Sequence, residues 1–207
     1  MNKKNIKNEE IKPRERGVIL ATLENGKEIT DVIYEKYLED KNKSDIAEMI
    51  FYRLYGRYLK PFTFKDNLFK EKYKNGFSIM ANCCLCIEAL QSFKNGWGET
   101  PRDAKGNGIF DEFFNNNSRV GLKIFSGKSF YKNIRCGILH QGETTSGWRI
   151  LRGGELLKEK TINSVKFLEK MIRALDIYRK ELENSEWDSE VWDNCRTKMR
   201  KILKNCE

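Results

Sequence analysis

The segment from Phe77 to Phe93 constrains the fold more than any other part of the chain. Read as a helix, its sequence FSIMANCCLCIEALQSF places apolar or small side chains on nearly every side. A helix that is apolar all round is stable only when other elements surround it. The segment therefore predicts a buried central helix around which the remaining elements pack.

Amphipathic spacing predicts further helices around this centre. Apolar residues recur at three- and four-residue intervals over residues 161–183 and again over 187–204. Thr30-Asp31 and Ser44-Asp45 resemble helix N-caps, and the second of these helices should end before Pro61. The motif GIFDEFF predicts a short helix, and a further helix should run from Ser129 to a left-handed cap at Gly142.

Two short β segments are expected beside the helices. Asn25-Gly26 separates two β-branched runs and predicts a hairpin over about residues 17–30, with positive φ at both turn positions. The stretch TTSGWRILRGGELL, residues 144–157, predicts a second small hairpin. We therefore expect a mainly α fold, a helical bundle with a short N-terminal and a late β-hairpin.

The chain length of 207 residues suits one domain. Residues 1–15 are polar and basic, and we expect them to be disordered. Residues 16–207 should form a single helical domain, with 185–207 as a candidate appended helix. No uninterrupted apolar run approaches the roughly 20 residues of a membrane span, and the basic N-terminus lacks the apolar stretch of an export signal. We therefore expect a cytoplasmic protein without a membrane partner.

The formal net charge of +9 favours polyanion partners such as RNA. The sequence lacks a P-loop, a dinucleotide-binding fingerprint, a nucleophile elbow and a zinc-binding HExxH motif, so we expect neither a cofactor nor a metal. Cys83, Cys84 and Cys86 contain a CxxC spacing, but no second pair or nearby histidine completes a zinc site. Their apolar surroundings favour a place in the core, with metal binding or redox chemistry as the alternative.

The segment IRCGILHQGE carries the candidate chemistry. His140 is the only histidine, so any proton transfer by an imidazole near neutral pH depends on it. Its place in the last helical turn favours the protonated form through the helix dipole. Arg135 lies five residues earlier and can hold a phosphate through two hydrogen bonds. Lys128 and Lys132 precede it on neighbouring turns and are candidate substrate-binding residues.

The spacing of Arg135 and His140 presents a geometric problem. Five residues of ideal helix separate the two side chains by about 140° around the axis. Three explanations stay open at this point: a helix distorted at Gly137, a substrate held along a groove, or two copies of the segment brought together in a symmetric dimer. A plain structural role, with a histidine near a helix end and a solvated arginine, is the further alternative.

Two carboxylates are candidates for supporting this basic site. Glu88 is an acid in the most apolar helix, and burying it without a partner would be costly. We therefore expect it to pair with an arginine or lysine of the core. Glu143 follows the helix end closely and is, with Cys136, a further candidate for supporting the two basic groups.

With the helices around it, the segment from Arg135 to His140 resembles the R-x(4–6)-H signature of the HEPN superfamily. The wider block FYKNIRCGILHQGETTSGWRI, with QSFKNGWGE upstream, is similar to that of bacterial HEPN-like proteins. The resemblance covers roughly residues 30–183.

The resemblance implies a bundle of four or five helices that pairs two signature helices across a homodimer. Active members of the family are metal-independent endoribonucleases of toxin–antitoxin, phage-defence and CRISPR systems. In these enzymes the ribose 2′-hydroxyl of the RNA attacks the adjacent phosphate and leaves a 2′,3′-cyclic phosphate. His140 would then be the general acid or base and Arg135 the phosphate stabiliser, with RNA as substrate and an antitoxin or defence-system protein as a candidate partner.

One residue departs from the family pattern. Active members commonly carry Asn, Asp or His directly after the arginine, whereas this chain has Cys136. The departure favours the alternative of a catalytically silent HEPN module that binds RNA, nucleotide or a partner protein. A helical assembly or regulatory protein without such a site is the third reading.

Overall fold

The computed structural model describes residues 17–64, 72–99 and 106–206, and it is mainly helical. The disorder expected for residues 1–15 therefore lies outside the described residues. The helices are α1 (Asp31–Glu39), α2 (Lys43–Leu54), α3 (Gly76–Lys94), α4 (Gly106–Asn116), α5 (Gly127–Phe130), α6 (Cys136–Gln141), α7 (Ser164–Asn184) and α8 (Glu190–Lys204). Two π-helical turns, Tyr55–Leu59 and Tyr131–Arg135, extend α2 and join α5 to α6. Short 3-10 turns cover Lys60–Phe62 and Ser118–Val120.

Helix α3 lies at the centre of the bundle, as its all-round apolar sequence predicts. It packs against α4, α7 and α8, and residues such as Met80, Ile87 and Leu90 are buried. By length and average composition alone α3 could span a membrane, although Asn82, Glu88 and Gln91 interrupt its apolar sequence. In the fold, 56% of this stretch is buried against the rest of the chain, as in the core helix of a globular protein.

Aromatic rings fix α4, α5 and α7 against one another. Phe130 stacks on Phe167 with ring centroids 5.4 Å apart, and Phe110 stacks on Phe130 at 5.5 Å. Phe114 and Phe125 meet the same rings edge to face. Such clusters combine a large buried apolar area with preferred ring geometry, so they hold the helix that carries Arg135 and His140 in place.

Helix α8 is part of this core. Trp192, Cys195 and Met199 are fully buried, and the Trp192 indole N–H donates to the Leu182 carbonyl of α7 at 3.0 Å. The Asn194 amide donates to the Lys94 carbonyl at the end of α3 at 2.8 Å. The residues that we considered as an appended helix therefore pack directly on the central elements.

The N-terminal hairpin forms as expected, from β1 (Ile19–Thr22) and β2 (Glu28–Thr30) in antiparallel pairing. Its turn differs from the expected one. Gly26 alone takes a positive φ, of 84°, and the Leu23 N–H bonds the Lys27 carbonyl. The loop is therefore one residue longer than a two-residue turn, and only its glycine needs the left-handed conformation.

The late hairpin predicted over residues 144–157 was wrong. Strand β3 (Arg149–Leu151) pairs in parallel with β5 (Thr161–Asn163), and β4 (Leu157–Lys158) pairs antiparallel with β5. The result is a three-stranded sheet in the order β3-β5-β4. Parallel pairing needs a crossover connection, which a local search for hairpins cannot detect.

Helix boundaries differ from expectation at several places, and at two of them a side-chain cap explains the difference. Helix α2 begins at Lys43 with Asn42 as its N-cap, rather than at Ser44-Asp45, because the Asn42 side chain accepts from the Asp45 N–H. Helix α7 begins at Ser164 because residues 161–163 form β5, and the Asn163 side chain caps α7 by accepting from the Val165 and Lys166 N–H groups. The Thr30 cap of α1 is confirmed.

Candidate active site

The candidate site is built on one continuous helix over residues 127–141, which we call the site helix. Ser126 caps it by accepting from the Ser129 N–H, and Gly142 ends it in the left-handed conformation, with φ 71°. Phe130 and Ile134 anchor its inner face in the core. The π turn Tyr131–Arg135 interrupts the helical hydrogen bonding immediately before α6.

Arg135 and His140 lie together in the structure. The Nη1 atom of Arg135 is 3.0 Å from Nε2 of His140. The expectation that these two groups point apart was therefore wrong. Five residues rise about 7.5 Å along a helix, a distance that the long arginine side chain can span by lying along the axis. The helical irregularity lies at the π turn, since α6 is regular through Gly137.

The chemistry of the two groups sets the direction of this hydrogen bond. A guanidinium carries only donors, so Arg135 donates and the imidazole Nε2 accepts. His140 is exposed, so solvent and a ligand can reach the imidazole.

Glu88 of α3 accepts two hydrogen bonds from the other edge of the same guanidinium. Its Oε1 accepts from the Arg135 Nε at 2.7 Å and its Oε2 accepts from Nη2 at 3.3 Å. The hydrogen bonds to Glu88 raise the pKa of Arg135. Both side chains are about one-fifth exposed, so the pair is shielded from solvent on most sides. The expectation that Glu88 has a basic partner is confirmed.

Arg135 keeps two N–H donors that a ligand could use. A guanidinium offers five N–H groups. Two of them bond Glu88 and one bonds His140. One N–H on Nη1 and one on Nη2 remain for a ligand.

Tyr131 is a member of the site that the sequence reading missed. The Arg135 guanidinium lies 5.6 Å from the centre of its ring, within the range of a cation–π contact. Burial raises the pKa of Tyr131, and the neighbouring Cys136 thiol raises it further. The sequence feature that could have identified Tyr131 is its spacing from Arg135. The two residues are four apart on one helix and so share a face.

Cys136 lies beside Tyr131 and Arg135. It is half-buried, and its thiol contributes to the raised pKa of Tyr131. Beneath it, burial raises the pKa of the Cys84 thiol in α3, and the nearby Glu88 raises it further. The residue after the arginine is thus part of the packing that supports Tyr131.

The loop after His140 is held against the site helix at Gly137. The Glu143 N–H donates to the Gly137 carbonyl at 3.3 Å, and the Thr145 hydroxyl donates to the buried Asn133 side chain at 2.9 Å. A Cβ on Gly137 would lie 2.4 Å from the Glu143 carbonyl oxygen, so only glycine allows this approach. Glu143 contributes its backbone here, while the residue as a whole is exposed.

The two candidate substrate lysines lie on the site helix before Arg135 in the chain. Lys128 and Lys132 are exposed and four residues apart, so they share a face of this helix. They extend the positive surface of the helix towards its N-terminus.

The cysteines of the CxxC spacing lie in the core. Cys83, Cys84 and Cys86 are fully buried, and burial raises the pKa of each thiol, which keeps it protonated near neutral pH. Across residues 17–64, 72–99 and 106–206, no group of three or more His, Cys, Asp or Glu residues is arranged to hold a metal ion.

Comparison with known proteins gives no family for this chain. No family model matches it, and no curated protein or solved structure is significantly similar to it. The site must therefore be interpreted from its own geometry, beside the HEPN resemblance of its motif.

Proposed function

We propose that this chain is a metal-independent endoribonuclease of HEPN type, acting as a toxin or anti-phage defence effector in the cytoplasm. The observation that carries the proposal is the 3.0 Å contact between Arg135 and His140 at an exposed surface. Glu88 holds the arginine in position by accepting its hydrogen bonds. Transesterification of RNA needs a proton acceptor and an anion clamp side by side. These two residues supply both.

The resting contact suggests how substrate would activate the base. His140 Nε2 accepts a hydrogen bond from Arg135, so its lone pair is occupied. A phosphate that takes the N–H bonded to Nε2, beside the two that remain unused, frees Nε2 for the ribose 2′-hydroxyl. The 2′-oxygen then attacks phosphorus as its proton passes to Nε2. The P–O5′ bond breaks and the 5′-oxygen takes a proton from water, and the hydroxide that remains takes the proton from Nε2 and restores the imidazole.

A homodimer is part of this proposal because the HEPN resemblance implies one. The contact within one chain removes our geometric reason for it, since Arg135 and His140 meet without a second copy. A dimer would instead place two such pairs near each other and widen the positive surface for RNA.

A catalytically silent module that binds RNA, nucleotide or a partner protein is the second candidate. Cys136 favours it, because active HEPN members commonly have Asn, Asp or His at that place.

Cleavage of single-stranded RNA in the presence of EDTA tests the proposal. The wild type should produce ends with a 2′,3′-cyclic phosphate. His140→Ala should abolish cleavage, because the chain has no other imidazole. Arg135→Ala should lower the rate by an amount equivalent to about 2–4 kcal/mol, the usual cost of losing an oxyanion donor. Gln141→Ala, an exposed neighbour on the same helix, is the matched control and should cleave normally.

Full activity of His140→Ala, or activity that requires magnesium, would refute the mechanism. Salt-sensitive RNA binding without cleavage by the wild type would support the silent module instead.

A further inference from the structure

A second cluster of cations surrounds a cleft between strand β1 and the end of α2. The cleft has a volume of about 300 Å³ and is lined by Leu20, Thr22, Tyr52, Arg53, Arg57 and Lys60, among others. Three of these residues are basic, and no carboxylate lines the cleft. Neither Arg135 nor His140 is among its lining residues.

Arg53 is the unusual member of this cluster. It is 6% exposed, yet its side chain has no carboxylate partner within the described residues. Its Nη1 donates to the Leu20 carbonyl at 2.7 Å, which satisfies one of five N–H donors. Buried charges in proteins are normally paired, whereas among the described residues only a backbone carbonyl holds this guanidinium.

The electrostatics of the neighbourhood agree with this geometry. Burial first, and then the nearby charge of Arg57, lower the pKa of Arg53 to about 10, against a smaller opposing effect of Cys206 and Tyr58. Lys198 of α8 also has a lowered pKa, because of burial first and then the charges of Arg53 and Lys201. Cations from two helices thus repel one another here, and a bound anion would relieve that repulsion.

Helical spacing brings the three cations of the cleft together. Arg57 lies four residues after Arg53 and Lys60 seven after it, which places all three on one side of α2 and its π extension. Arg57 and Lys60 are exposed, whereas Arg53 is buried. The cluster thus combines two accessible cations with one at the buried end. A Cβ on Gly56 would meet nothing within 4 Å, so the space between them is open.

We propose that this cleft is a binding site for a phosphate monoester, carried either by a small molecule or by the 5′ end of a nucleic acid. A terminal phosphate carries close to two negative charges near neutral pH, which suits three cations without a carboxylate. It can also reach a buried arginine end-on, whereas a phosphodiester inside a strand has a chain on both sides. The proposal does not depend on the ribonuclease activity.

Calorimetric titration of the full chain at constant ionic strength tests this site. The probes are inorganic phosphate and two DNA trinucleotides of one sequence, with a 5′-phosphate or a 5′-hydroxyl. DNA lacks the 2′-hydroxyl, so the proposed ribonuclease cannot cleave it. Inorganic phosphate should bind saturably, and the 5′-phosphorylated trinucleotide should bind at least about tenfold more tightly than its 5′-hydroxyl counterpart, as expected for charge-assisted hydrogen bonds. Binding of inorganic phosphate without either trinucleotide would support a small-molecule source.

Variants locate the site without disturbing buried Arg53. Arg57→Gln and Lys60→Gln should each weaken binding of inorganic phosphate by about tenfold. Arg119→Gln removes an exposed cation elsewhere and should change the affinity less than about twofold, as for a distant surface charge. Equal binding of the two trinucleotides would overturn the proposal, as would unchanged phosphate affinity in Arg57→Gln and Lys60→Gln. Phosphate binding that is lost only in Arg135→Ala would place the anion at the candidate active site and would also overturn it.

Discussion

At the scale of single residues, the pair of Glu88 and Arg135 determines how the candidate active site is held. Glu88 comes from the central helix α3, whereas Arg135 comes from the site helix. Two hydrogen bonds fix the plane of the guanidinium, which leaves Nη1 directed at His140. The position of the arginine is therefore set by the core rather than by the surface.

A double-mutant cycle should measure this support. Arg135→Ala leaves the mostly buried carboxylate of Glu88 without its partner, so the free energy of unfolding should fall by about 1–3 kcal/mol. In a Glu88→Gln background the same change should cost less, because no unpaired charge remains. Urea denaturation of the four proteins gives the coupling energy.

Lys132→Ala is the control for this cycle. Lys132 is an exposed cation on the same helix, and its loss should change the free energy of unfolding by no more than about 0.5 kcal/mol. A coupling energy near zero between Glu88 and Arg135 would show that the pair does not hold the site.

At the scale of elements, the site helix shows what the sequence could and could not predict. Its range and its left-handed end at Gly142 follow from apolar spacing and from the glycine. The π turn at Tyr131–Arg135 does not, because it differs from an α-turn by one hydrogen-bond register and has no strong sequence signal. Ideal helix geometry therefore predicts that Arg135 and His140 point apart, whereas in the structure they are in contact.

The cation cluster of α2 shows a different limit of what the sequence can predict. Arg53, Arg57 and Lys60 share a helical face, and this spacing was visible in the sequence. The sequence could not show that Arg53 is buried beside β1, because that burial depends on contacts between residues distant along the chain. The parallel pairing of β3 with β5 was missed for the same reason.

Gly137→Ala should disturb the site at this scale. The added Cβ would lie 2.4 Å from a backbone oxygen, so the loop at Glu143 has to move. We expect a loss of about 1–3 kcal/mol in the free energy of unfolding, as for other overpacked positions. The loop follows His140 directly, so RNA cleavage should fall as well. Thermal denaturation and the cleavage assay together measure both effects.

Gly108→Ala is the matched control. Gly108 also lies within a helix, but a Cβ there would meet nothing within 4 Å. This change should leave stability unaltered or raise it by up to about 1 kcal/mol, because alanine favours the helix. An equal effect of the two substitutions would show that the approach of Glu143 to Gly137 is unimportant.

At the scale of the whole molecule, the described parts of the chain share one apolar core around α3. Residues from the N-terminal hairpin, such as Leu20, and from α8, such as Trp192, belong to the same buried cluster. The central helix could be predicted because its sequence is apolar on all sides. The place of α8 could not, since an amphipathic helix specifies that it packs but not against which partner.

Trp192→Ala tests whether α8 is integral to this core. The indole is fully buried and bonded to Leu182, so its truncation should lower the free energy of unfolding by about 3–5 kcal/mol. Trp192→Phe keeps most of the apolar volume and should lose less, while the exposed Thr197→Ala should change stability by no more than about 0.5 kcal/mol. Urea denaturation followed by circular dichroism should show one cooperative transition for the wild type. A loss below about 1 kcal/mol for Trp192→Ala, or a separate early transition for α8, would mean that this helix is only attached to the bundle.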